Sequence, residues 1–78
     1  MSMTVGIKIT TSEQALRLNR IAEKYPYDIW VHARSGQADA KSTLGIMLLT
    51  IENDVKLVTS DDADTAELEK EIEEFIVR

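Results

Sequence analysis

The chain contains one histidine, His32, and no cysteine. Imidazole chemistry therefore has a single candidate, and disulfides, thiol nucleophiles and thiolate metal sites are excluded. Glycine-rich phosphate loops, nucleophile triads and paired catalytic carboxylates are absent from the sequence. The carboxylates between Glu67 and Glu74 are interleaved with apolar positions, which makes a solvated helix face rather than a convergent metal site. Trp30, His32 and Arg34 stand at alternate positions, and tryptophan and arginine in such a patch favour a protein contact or self-association. Arg34 stacked on Trp30, with no further role, is the alternative. Ser42 carries a hydroxyl where a helix start needs a cap, and Thr10-Thr11-Ser12 does the same further upstream.

The bounds on the molecule are equally narrow. Seventy-eight residues correspond to a single domain over 1–78, too small to enclose a cavity between domains, so function is expected on the surface. With 44% hydrophobic and 29% charged residues, the composition is that of an ordered globular chain. A formal charge of −5, from 14 acidic against 9 basic residues, opposes a polyphosphate backbone and makes nucleic acid an unsuitable ligand. No apolar run is long enough to span a bilayer, and Met1 to Ile9 lack the pattern of a secretory signal, so the cytoplasm is the expected compartment. No pattern calls for a cofactor or a metal.

These residues must be positioned by a short alternation of elements. Val5, Ile7 and Ile9 alternate as in a half-buried strand. Thr11, followed three residues later by Gln14, matches a capping box. The positions Ala15, Leu18, Ile21 and Ala22 then predict a helix from about Ser12 to Lys24, stopped by Pro26. Ile29, Val31 and Ala33 face one side of a second strand, with Trp30, His32 and Arg34 on the other. Ser35-Gly36 turns the chain into a partner strand over Gln37–Ala40. Ser42 precedes a short helix with Leu44, Met47, Leu48 and Ile51 on one side. Val55–Thr59 is the last strand, and a final amphipathic helix carries Leu68, Ile72, Phe75 and Ile76. The order β-α-β-β-α-β-α implies an α+β fold, a four-stranded mostly antiparallel sheet with three helices on one face and the other face open.

Ala22-Glu23-Lys24-Tyr25, Asp28-Ile29 and Lys41-Ser42-Thr43-Leu44-Gly45-Ile46-Met47 resemble HPr, the histidine-containing phosphocarrier of bacterial sugar phosphotransferase systems. The family's pattern there is A-x-K-F, D-V/I, then K-S-I/L-M-G-V/L-M, and Ala22 to Gly45 fits it without a gap. The resemblance implies an HPr-like open-faced β-sandwich. It also implies that Ser42 is a regulatory phosphorylation site, as the corresponding serine is in many low-GC Gram-positive bacteria, unless it is only a helix cap. Partners of the phosphotransferase or carbon-catabolite type would dock on Thr43, Leu44 and Met47.

The departure from the family is equally specific. In HPr the first strand leads into G-I/L-H-A-R-P, whose histidine receives phosphate; here the stretch reads Thr10-Thr11-Ser12-Glu13-Gln14, with Thr11 near the histidine position and Glu13 near the arginine. Thr11, Ser12 and Glu13 thus mark the place of a lost active site: a hydroxyl offers no ring nitrogen, and Glu13 repels a phosphoryl group. His32-Ala33-Arg34 spells the family's H-A-R but lies within a strand. The expectation is a non-catalytic binding or regulatory relative, similar to the catabolite-repression HPr paralogues, which keep an arginine and proline that this chain lacks. The alternatives are a phosphocarrier using His32, and a structural domain that forms a homodimer through the open face at Trp30.

Overall fold

The structure is a computed structural model that describes residues 3–42, 45, 54–60 and 64–77. The chain runs β1 (Thr4–Ile7), α1 (Ser12–Glu23), β2 (Ile29–Ala33), β3 (Gly36–Asp39), β4 (Val55–Thr59) and α2 (Ala66–Glu71), closing with a 3₁₀ turn at Glu73–Phe75. The strands form one sheet in the order β1-β4-β2-β3, and every strand pair is antiparallel.

In β2 and β4 burial follows a period of two, with Ile29, Val31, Val55, Leu57 and Thr59 turned inward. Ile29 and Val31 of β2 are fully buried, as is Leu57 of β4, directly opposite Val31. Leu18 and Ala22 from α1 and Leu68, Ile72 and Phe75 from the C-terminal segment join the same core. α1 and α2 therefore cover one face. On the other face two cross-strand rows follow from the register: Thr4, Val58, Trp30 and Asp39, then Gly6, Lys56, His32 and Gln37.

α1 begins where its cap places it. The Thr11 hydroxyl accepts from the Gln14 amide at 3.1 Å, while the Gln14 carbonyl oxygen reaches back one residue beyond the usual capping box, to the Thr10 amide at 2.7 Å and the Thr10 hydroxyl at 3.0 Å. The helix ends at Glu23 with Lys24 as its C-cap, two residues before Pro26.

The structure differs from the sequence expectation in two places. The final amphipathic stretch is not one helix: α2 ends at Glu71, Ile72 adopts φ −97° and ψ 7°, and a 3₁₀ turn follows. That tightening brings Phe75 into the core and releases Ile76 into extended backbone, which bridges Ile7. β1 ends at Ile7, although Ile9 is buried as the alternation required. The helix expected after Ser42 lies outside the described residues except for Gly45, which is helical. Among the described residues no helix is long and apolar enough to cross a membrane.

Candidate functional site

Thr11, Ser12 and Glu13 form the solvent-exposed start of α1. A helix start normally presents free amides to an anion. Here Thr11 binds the Gln14 amide, and the Gln14 side chain occupies the amide and hydroxyl of Thr10. Glu13 adds a carboxylate in the first turn, which the positive end of the helix dipole accommodates. Of the amides at this entrance, those of Thr10 and Gln14 are taken by neighbouring side chains.

His32 is far from this arrangement in the topology. It sits within β2, opposite Gln37 of β3 and Lys56 of β4, on the face turned away from α1. Trp30 shares that face and is half-buried rather than fully exposed, with Val58 and Asp39 as its cross-strand neighbours. Arg34 is exposed in the turn that follows. The structure thus brings Trp30 and His32 together and separates both from Thr11, Ser12 and Glu13.

Ser42 is exposed directly after β3, its amide bonded to the Asp39 carbonyl at 2.9 Å. The segment leading to it is tied to α1 at two points. The buried Asn19 side chain donates to the Ala40 carbonyl at 3.0 Å, and Lys41 Nζ donates to the Tyr25 carbonyl at 2.7 Å. Gly45 packs where a Cβ would lie 3.1 Å from the Ala38 side chain and 3.4 Å from Ser42 Oγ, a fit that a larger residue could share only if Ala38 gave way by a few tenths of an ångström. Thr43, Leu44 and Met47 lie outside the described residues.

Sequence reasoning missed a cluster at the exit of α1. Glu71 accepts from Lys24 Nζ at 2.7 Å and from the Tyr25 hydroxyl. The Lys24 and Tyr25 hydrogen bonds hold the Glu71 carboxyl below its usual value, while burial and the Glu71 carboxylate push the Tyr25 hydroxyl well above its own. Tyr27 packs on Tyr25 with ring centroids 5.6 Å apart, and its hydroxyl, raised by burial and by the nearby Asp64 and Glu67, is buried without a hydrogen-bond partner among the described residues. Arg17 pairs with Glu74 and lies over the Phe75 ring, 5.9 Å from its centroid. No sequence signal could have found these contacts, because Lys24 and Glu71 are 47 residues apart.

Solved structures on which the chain superposes include HPr proteins. HPr-C-His from Thermoanaerobacter tengcongensis superposes with a TM-score of 0.66 at 27% identity, over 95% of this chain and 88% of its own. The phosphocarrier protein HPr of Bacillus anthracis gives 0.66 at 23% identity, over 96% and 95%. The histidine-containing phosphocarrier protein of Mycoplasma gives 0.59 at 19%, over 94% and 84%, a likeness that concerns the fold alone. No curated protein sequence matches the chain. The model of the PTS-HPr family, described as the PTS HPr component phosphorylation site, matches residues 11–78, which takes in the start of α1, strands β2 to β4 and the Lys41-Ser42 motif. The chain belongs to the HPr family of the phosphotransferase system.

Proposed function

We propose that this HPr-family chain is a non-catalytic binding and regulatory protein, which meets protein partners of the phosphotransferase or carbon-catabolite type without carrying phosphate on a histidine. The observation that carries this reading is the start of α1, where Thr11 is a hydroxyl that caps the Gln14 amide and Glu13 supplies a negative charge. A phosphoryl acceptor there would need an imidazole and a cation beside free amides. His32 stands on the other face of the sheet, next to Lys56 and Gln37.

Ser42 is the proposed control point. Its hydroxyl side chain is exposed and precedes a helical Gly45, so a phosphate there would meet the positive end of a helix dipole. Leu44, Met47 and Thr43 are the proposed docking residues beside it, and Trp30 belongs to a separate contact surface on the open face.

Incubation with phosphoenolpyruvate and the general phosphotransfer enzyme tests the first part. The expected result is no acid-labile phosphate; phosphate on His32 would overturn the reading and make the chain a carrier with a non-standard acceptor. Incubation with ATP and a kinase that modifies the serine of this motif tests the second. One acid-stable phosphate is expected in the wild type and none in Ser42→Ala, and a wild-type chain left unmodified would reduce Ser42 to a helix cap.

A further inference from the structure

Gly6 stands inside β1, where nothing among the described residues requires a glycine. Its backbone is not in the positive-φ region, where Gly36 is the glycine found among the described residues, and a Cβ placed there meets only the Val77 Cβ at 3.9 Å, an ordinary contact. A glycine within a strand weakens it relative to alanine, and such a position commonly marks the close approach of something from outside. The side chains around Gly6 give that gap a context. Val77, whose amide donates to the Gly6 carbonyl at 2.9 Å, is the exposed large hydrophobic residue among those described, at 57%. Val58 and Trp30, half-buried, continue the apolar path across the same face.

We propose that this face docks against the same face of a second copy, with Trp30 of each protomer seated in the gap over Gly6 of its partner. A twofold contact requires that the projection and the recess that receives it lie on one surface, and here both do. The charges support the same occupant. Asp39 lies one strand beyond Trp30, and Lys8 is the next exposed position after Gly6 along the chain, before the buried Ile9. A twofold that sets Trp30 over the partner's Gly6 carries Asp39 toward the partner's Lys8.

The contact is small. Four strands about 4.8 Å apart and four residues deep at about 3.4 Å each give a flat area of roughly 270 Å², against ~800 Å² per partner in a standard interface. Association is therefore weak and concentration-dependent. This inference rests on the open face as a binding surface and is independent of phosphate chemistry at α1 or Ser42.

Sedimentation velocity from micromolar to millimolar protein tests it, with Trp30 fluorescence followed in parallel. The expected result is a mass that rises from one copy toward two, with emission moving to shorter wavelength over the same range. Gly6→Ala, whose methyl fits the free chain, should weaken association on the order of tenfold. Asp39→Lys should weaken it too, and Lys8→Asp in the same chain should restore it. A single-copy mass at millimolar concentration, or a dimer indifferent to Gly6→Ala, would overturn the proposal.

Discussion

Glu71 illustrates how a surface carboxylate acquires a structural role. Its carboxyl is held low, first by the hydrogen bond from Lys24 and then by that from Tyr25. A group whose folded pKa is depressed stabilises the fold above its unfolded value, and the contribution is lost as pH falls through the folded value. Unfolding measured across the acid range should show stability declining below the ordinary carboxylate range, and Glu71→Gln should flatten that decline. Tyr25 works in the opposite direction. Its raised hydroxyl, shifted mainly by burial, contributes stability below about pH 10 that is lost as pH rises further. Tyr27 differs from both, because its buried hydroxyl has no partner among the described residues. Replacing a polar group that is left unsatisfied removes a desolvation penalty, so Tyr27→Phe should raise stability by about 1 kcal/mol in denaturant unfolding. The sequence made Thr11 legible as a cap, since the signal lies within four residues. It could not reveal that the Gln14 side chain serves Thr10, because both reaches are sterically open and only the folded geometry selects one.

The packing of α1 on the segment before Ser42 depends on Asn19. Its amide donates to the carbonyl of Ala40, a residue with no exposed surface, across 21 positions of sequence. Asn19→Ala leaves that carbonyl short of a donor and should cost about 1–3 kcal/mol of stability. Because Ala40 precedes Lys41-Ser42, the same variant should change the amide chemical shift of Ser42, which a spectrum of the folded protein would register. β2 was readable in the sequence because alternation is a local signal: of Ile29, Val31 and Ala33, set on one side, the first two are buried and the third half-buried. The final helix was over-extended because Leu68, Ile72, Phe75 and Ile76 also satisfy a helical stripe. What breaks the helix is the demand of the core for Phe75, and no local pattern carries that demand. The Lys24–Glu71 and Arg17–Glu74 pairs were hidden for the same reason, since each joins elements from distant parts of the chain.

Across the molecule, the two sheet edges belong to β1 and β3, and β1 is screened by the chain itself. Lys8 donates to the Phe75 carbonyl at 2.8 Å, Val77 donates to the Gly6 carbonyl at 2.9 Å, and Ile7 bridges Ile76. Such cover is one way in which a sheet avoids unwanted pairing along an open edge. Val77→Pro removes the donor to Gly6 and should cost about 1 kcal/mol, with faster hydrogen exchange at the Lys8 amide as the accompanying sign. The arrangement also bears on synthesis. β1 leaves the ribosome early, yet its partners are Val55–Val58, made some fifty residues later, and Ile76 beyond them. Until those residues emerge, the opening segment has neither a neighbour on one side nor a cover on the other. A nascent chain halted before Phe75 should therefore remain sensitive to protease, and assembly of the sheet becomes a late, concerted event set by the slow closure of long loops.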